Sequence, residues 1–85
     1  MYTHDARRNM SNNKEGWSTL IINARKDLGI SRNELALEIG ITKQTVALWE
    51  TENRTPKTRD LWPLFRYLRF SDDDMVSFLL RVRRR

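Results

Sequence analysis

The segment spanning residues 31–56 constrains the fold more than any other part of the chain. It reads SRNELALEIGITKQTVALWETENRTP and contains two short helical patterns separated by a turn. Ser31 and Glu34 have the spacing of a capping box, in which each side chain bonds the other residue's backbone N–H, so a helix is expected to begin directly after Ser31. Gly40 supplies the left-handed backbone conformation that ends such a helix. Two short helices in tight succession are therefore expected.

The second helix of this segment is expected to run from Lys43 to about Thr51, with Thr42 as its N-cap. On a helical wheel of about 100° per residue, Val46 and Trp49 lie at about 300° and 240° from Lys43 and form a face suited to burial. The opposite arc, from about 0° to 140°, carries Lys43, Gln44, Ala47, Leu48 and Thr51. A solvated helix face usually carries several charges. This arc carries one, so we interpret it as a contact surface.

The residues of this region that form a recognisable family pattern lie on both sides of the turn. They are Leu28-Gly29-Ile30-Ser31, Glu34-Leu35-Ala36, Ile39-Gly40-Ile41-Thr42, Thr45-Val46, Trp49-Glu50 and Arg54-Thr55-Pro56. Over about Trp17 to Ser71, this pattern resembles the phage repressor and Cro type of helix-turn-helix, the lambda-repressor-like or XRE-type family. The resemblance implies an all-α, five-helix domain that binds DNA, and it carries no information about the operator sequence.

The composition is that of one small domain, whose core supplies little net stability and is often supplemented by oligomerisation. The 85 residues include no cysteine, which excludes a disulfide framework and a thiolate metal site, and the single histidine, His4, leaves no metal constellation. No apolar run reaches the roughly 20 residues that span a bilayer, and a secretory h-region is missing. A cytoplasmic protein without a membrane partner is expected.

Groups that could perform catalysis are too sparse for an enzyme. Catalysis needs a paired acid and base or an activated nucleophile, whereas the positions expected to be buried here are apolar. No enzymatic activity, no cofactor and no small-molecule ligand are therefore expected.

Positive charge is concentrated in one part of the chain. The net charge is +5, from 16 Lys and Arg against 11 Asp and Glu, and residues 41–71 alone carry six cations and three carboxylates. Such an excess of positive charge favours binding to a polyanion such as a nucleic acid. RNA is an alternative on charge alone, but the aromatic-rich sheet motif of many RNA-binding domains is missing.

The N-terminal part is expected to comprise an arm and a first helix. Residues 1–13 are polar and without periodicity, which predicts a disordered segment. Its Arg7 and Arg8 suit either a solvated tail or a basic arm that reaches a DNA groove. A helix is then expected from about Lys14 to Asp27, capped by Asn12 or Asn13 and closed by Gly29. Its core-facing stripe comprises Trp17, Leu20, Ile21, Ala24 and Leu28.

Two further expectations concern the surroundings of the second short helix. The resemblance implies an ion pair between Arg25 and Glu50 that fixes the angle of this helix. The family favours glycine where Glu52 stands, and Asn53 tolerates the left-handed conformation. We therefore expect the helix to end one residue later than in the family, with a shifted loop.

A fourth helix is expected from Thr58 or Asp60 to Arg69. Pro63 forfeits a backbone hydrogen bond, so a loose first turn or a start at Asp60 is the less costly solution. The apolar residues at helical spacing, which form its expected buried face, are Leu61, Leu64, Phe65 and Leu68.

The fifth helix, at about residues 72–83, opens with Ser71 followed by Asp72, Asp73 and Asp74. Carboxylates in a first turn are favoured by the helix dipole, and we prefer this explanation to a metal site. The apolar residues beyond them cover an arc of about 200°, well beyond the roughly 100° that one core contact requires. We therefore expect a homodimer interface built from Met75, Val76, Leu79, Leu80 and Arg83.

The predicted function is a sequence-specific DNA-binding regulator, a repressor that binds a palindromic operator in duplex DNA as a homodimer. The expected base-reading residues are Lys43, Gln44, Ala47, Leu48 and Thr51. The expected phosphate-contacting residues are Arg32, Thr42, Asn53, Arg54, Lys57, Thr58 and Arg59. The alternative is an antitoxin or accessory subunit whose fifth helix binds a different protein and whose DNA binding serves autoregulation.

Overall fold

Five α-helices make up the described part of the chain, residues 16–83 of a computed structural model, and this range contains no strand. They are α1 (Ser18–Leu28), α2 (Arg32–Ile39), α3 (Lys43–Glu50), α4 (Thr58–Tyr67) and α5 (Asp72–Arg83). The predicted all-α, five-helix fold is confirmed. The predicted arm, residues 1–13, lies outside the described residues. None of the five helices is both long and apolar enough to cross a membrane.

The helix ends around the turn are the ones that the sequence predicted. Glu34 N–H donates to Ser31 Oγ at 3.0 Å, and Ser31 N–H donates to Glu34 Oε1 at 2.7 Å. Gly40 closes α2 with a φ of 85°, and the Thr42 hydroxyl accepts a hydrogen bond from Thr45 N–H at 3.2 Å. These bonds satisfy backbone groups that a helix end would otherwise leave unpaired.

The start of α1 was predicted wrongly. The helix begins at Ser18 rather than near Lys14, with Trp17 at the N-cap position. Its cap comes from a distant residue, because Ser18 N–H donates to Glu52 Oε2 at 2.9 Å. The missing side chain of Gly16 makes room for this contact, since an added Cβ would overlap the Glu52 carboxylate.

The end of α3 was also predicted wrongly. Glu52 itself adopts the left-handed conformation, with a φ of 61°, and the helix is not extended to Asn53. Glu52 N–H donates to the Trp49 carbonyl at 3.1 Å, and Asn53 N–H donates to the Leu48 carbonyl at 2.9 Å. This is the hydrogen-bond pattern of a Schellman motif. The loop therefore begins at the same position as it would if a glycine stood in place of Glu52 and ended the helix.

The fourth helix begins at Thr58, the earlier of the two expected starts, and runs through Pro63. It ends at Tyr67, two residues before the predicted Arg69, because Arg69 takes the left-handed conformation with a φ of 60°. Phe70 N–H then donates to the Phe65 carbonyl at 3.0 Å. The two rings stack with centroids 5.3 Å apart, which adds the apolar contact typical of this type of helix end.

The hydrophobic core lies between all five helices. Its buried residues are Trp17, Ile21, Leu35, Ala36, Val46, Trp49, Leu64, Phe65, Leu68 and Phe78. Phe78 anchors α5, because its ring centroid lies 5.6 Å from that of Trp17, 5.3 Å from that of Phe65 and 6.0 Å from that of Phe70. Burying one such side chain contributes about 1.5–3 kcal/mol, so α5 is held firmly at its centre.

The acidic start of α5 is explained by capping. Asp74 N–H donates to Ser71 Oγ at 3.1 Å, and Ser71 N–H donates to an Asp74 carboxylate oxygen at 3.0 Å. Asp72 and Asp73 share the same first turn, where the helix dipole favours negative charge. Within residues 16–83, no group of three or more acidic, histidine or cysteine side chains could hold a metal ion.

Candidate nucleic-acid interface

The two faces of α3 differ sharply in exposure. Val46 and Trp49 are buried in the core, as predicted, whereas Lys43 and Gln44 in the first turn are exposed. Leu48 is 37% exposed and Ala47 is half-buried beside them. We call Lys43, Gln44, Ala47 and Leu48 the reading face. It combines one cation, one amide and two compact apolar groups on a helix whose opposite face is buried in the core.

Thr51 has a local role that the sequence did not reveal. It occupies the C-cap position just beyond α3, and its hydroxyl donates towards the carbonyls of Ala47 and Leu48, each 3.2 Å away. The same hydroxyl accepts a hydrogen bond from Asn53 Nδ2 at 2.9 Å. These bonds engage the single hydroxyl proton of Thr51 at the end of α3, so the reading face is defined without Thr51, and base reading by this residue stays a prediction.

The predicted phosphate-contacting residues lie around α3. Arg32 opens α2, and Thr42 uses its hydroxyl as the N-cap of α3. The rest follow α3 in the loop and in the first turn of α4, and all are exposed: Asn53, Arg54, Lys57, Thr58 and Arg59. This arrangement provides a cationic border beside the C-terminal end of the reading face.

A three-residue ion-pair network braces α3 from behind. Arg25 Nε lies 2.8 Å from Glu50 Oε2, which is the pair that the family resemblance implied. Arg32 Nε lies 2.8 Å from Glu50 Oε1, a contact that sequence reasoning missed. Arg25 Nη1 also donates to the Ile30 carbonyl at 3.0 Å. The network therefore ties α3 to α1, to α2 and to the loop between them.

The ionisation of Glu50 depends on this network. Burial acts to raise the pKa of the Glu50 carboxyl, but the hydrogen bonds and positive charges of Arg25 and Arg32 outweigh it, so the pKa lies below its ordinary value. The Glu50 side chain is 2% exposed, whereas that of Arg32 is 48% exposed. Arg32 thus links a buried carboxylate to the protein surface.

The arrangement of α2, turn and α3 has a match among known families. Residues 21–75 match the helix-turn-helix family, a span that includes α2, α3, α4 and most of α1. The chain belongs to this family. It is a DNA-binding transcription regulator of the XRE, or lambda-repressor-like, type, and the family is one of regulatory domains rather than of enzymes. The chain matched no curated protein and no solved structure.

The helix-turn-helix protein also exposes apolar surface on α5. Val76 and Leu80 are each 56% exposed and Leu79 is 40% exposed; we call these three residues the apolar stripe. Arg83 is exposed one turn further on, whereas Met75 is half-buried against the core. Four of the five predicted interface residues are therefore accessible on α5, and Met75 lies at their edge.

Proposed function

We propose that this helix-turn-helix protein is a repressor that occupies a palindromic operator as a homodimer. The observation that carries the proposal is the reading face of α3, an exposed surface with a single charge on a helix whose other face is locked into the core. Such a surface combines hydrogen-bonding groups with apolar groups, which is the combination that base-pair edges present in the major groove. The family supports DNA binding, and the chemistry of these side chains supports sequence selectivity.

Each member of the reading face has a partner in the major groove. The Gln44 amide suits a bidentate contact to adenine, and the Lys43 ammonium suits the O6 and N7 acceptors of guanine. Ala47 and Leu48 suit contact with a thymine methyl group. We therefore assign base recognition to this face.

Contacts to the DNA backbone would fix the register. Arg54, Lys57 and Arg59 bring three cations to the loop after α3 and the start of α4, and Asn53 and Thr58 add hydrogen-bonding groups. Contacts of this kind orient a protein on the duplex without reading its sequence. Arg32 would add a further contact through the N–H groups that Glu50 leaves available.

The apolar stripe supports the homodimer. Contiguous exposed apolar side chains on a small domain commonly mark an interface. A two-fold dimer would present two reading faces about one duplex turn, or about 34 Å, apart, and its operator would be palindromic. Occupying an operator that overlaps a promoter would repress transcription.

Selection of binding sites from random duplexes tests this function. The wild-type protein is expected to enrich an inverted repeat with half-sites one helical turn apart. The Gln44→Ala variant should lose about 1–3 kcal/mol on that site and should lose preference at one position of each half-site. An unchanged profile for this variant would refute the reading face. Enrichment of single half-sites, together with a co-purifying protein on α5, would favour the accessory-subunit function instead.

A further inference from the structure

The charges of α5 indicate how two copies of the chain would pair, an inference that rests on the proposed homodimer. The helix starts with Asp72, Asp73 and Asp74 and carries Arg81 and Arg83 in its last turn. One end is therefore negative and the other positive. Between them lies the apolar stripe. A helix with this pattern is electrostatically complementary to a copy of itself that runs in the opposite direction.

The spacing of the exposed residues is also self-complementary. Asp72, Val76, Leu79 and Arg83 follow one another at intervals of four, three and four positions, which is the spacing of a helix–helix seam. At about 100° per residue they fall within an arc of about 60°. We call these four residues the α5 seam. All four are exposed, whereas Phe78 on the other side of the helix is fully buried.

We propose that two copies pair through their α5 seams in antiparallel orientation, with the two-fold axis between Ser77 and Phe78 along the helix. In this register Asp72 faces the partner's Arg83, and Val76 faces the partner's Leu79. The same contacts recur on the other side of the axis, as an isologous interface requires. Both seam charges thus meet opposite charges and both apolar residues meet apolar residues. Leu80 lies beside the seam and extends its apolar surface.

A parallel pairing of the same helices would be unfavourable. It would set Asp72 beside the partner's Asp72 and Arg83 beside the partner's Arg83. Like charges brought together across an interface disfavour the arrangement. The charge pattern therefore selects the antiparallel orientation, while the apolar stripe provides the buried area.

A charge swap separates the two orientations. In the double variant Asp72→Arg/Arg83→Glu, antiparallel homodimers regain opposite charges at both ends. Mixed dimers of wild type and double variant would place like charges at both ends. We expect an equimolar mixture, with one protein isotope-labelled, to contain mostly the two homodimers by native mass spectrometry at low salt. Parallel pairing predicts the reverse, a mixture dominated by mixed dimers.

A single variant makes the same test without changing the first turn of the helix. Arg83→Glu should raise the dissociation constant of the antiparallel dimer roughly tenfold in sedimentation equilibrium, because the introduced carboxylate would face the partner's Asp72. Arg66→Glu, an equal charge change at an exposed position on α4, should leave the constant unchanged. Circular dichroism checks that each variant keeps its helices.

The outcomes separate a failure of the proposed homodimer from a failure of the proposed antiparallel register. A wild-type protein that remains monomeric at all concentrations would refute the homodimer itself. A dimer that forms mixed or statistical assemblies, or that Arg83→Glu leaves unchanged, would refute the antiparallel register while leaving the homodimer intact.

Discussion

The Glu52 carboxylate accepts a hydrogen bond from the backbone N–H of Ser18, 2.9 Å away and 34 positions earlier in the chain. This bond connects the end of α3 to the start of α1. Glu52 holds a left-handed backbone conformation that costs an L-residue about 1–2 kcal/mol. A helix cap contributes about 0.5–2 kcal/mol. The two effects are of similar size, so the cap offsets much of the strain.

Replacing each left-handed residue by glycine measures this balance. Arg69 has the same backbone conformation as Glu52 but caps no distant helix within the described residues, so Arg69→Gly should stabilise the protein by about 1 kcal/mol through relief of strain. Glu52→Gly gains the same relief but loses the interactions of the Glu52 carboxylate, among them the Ser18 hydrogen bond, so it should stabilise the protein less than Arg69→Gly does. The free energy of unfolding in urea measures both.

Gly16→Ala provides a second probe of the same contact. Its new Cβ should displace the Glu52 carboxylate and cost about the value of the cap in the wild-type background. In the Glu52→Gly background it should cost much less. Equal stabilisation by the two glycine substitutions, or equal cost of Gly16→Ala in both backgrounds, would show that the Ser18 contact adds nothing.

The lowered pKa of Glu50 predicts a dependence of stability on acid. A carboxyl whose pKa is lower in the folded state contributes stability that is fully present above its unfolded value and is lost as the pH falls through the folded value. The loss should therefore begin near the ordinary value of 4.5 and continue below it. Titration of the Glu50 side-chain carboxyl by NMR should give a midpoint below 4.5.

A comparison of variants isolates this effect. Unfolding free energies between neutral and acidic pH should fall less steeply for Glu50→Gln than for wild type. Glu38→Gln removes an exposed carboxylate from α2 and should retain the wild-type steepness. A midpoint at or above the ordinary value would mean that burial outweighs the two arginines.

Arg54 tests the assignment of the α3–α4 loop to the DNA backbone. Arg54→Ala should weaken binding to operator and to unrelated duplexes by the same factor, because a phosphate contact carries no sequence information. The slope of log affinity against log salt should fall by about one. Arg66→Ala on α4 is the matched control and should keep the wild-type slope. Weakening confined to the operator would instead assign Arg54 to base recognition.

Leu80 tests whether the apolar stripe is an interface. Leu80→Asp would place a charge among apolar side chains of two copies and should yield monomers by sedimentation. Leu37→Asp is a matched control, because Leu37 is 72% exposed and lies on a different helix, α2. It should leave the mass unchanged. A dimeric Leu80→Asp protein would place the interface elsewhere.

Local sequence by itself determined both ends of α2 and the start of α3. Ser31 with Glu34, Gly40 and Thr42 act on backbone groups within a few positions of themselves, so their effects could be predicted without knowing the rest of the structure. The buried face of α3 was equally predictable, because Val46 and Trp49 share one side of the helix by its geometry alone. The Arg25–Glu50 ion pair was predicted from the resemblance to a known family rather than from local sequence.

The tertiary structure decided what depended on residues distant in sequence. Arg32 meets Glu50 across 18 positions, and Ser18 meets Glu52 across 34. Neither contact leaves a local signal. The local preference of Asn53 for the left-handed conformation suggested a later helix end, but the cap at Ser18 and the Schellman hydrogen bonds hold Glu52 there instead. Sequence patterns determine elements whose partners lie within a turn or two, whereas packing decides which distant groups complete them.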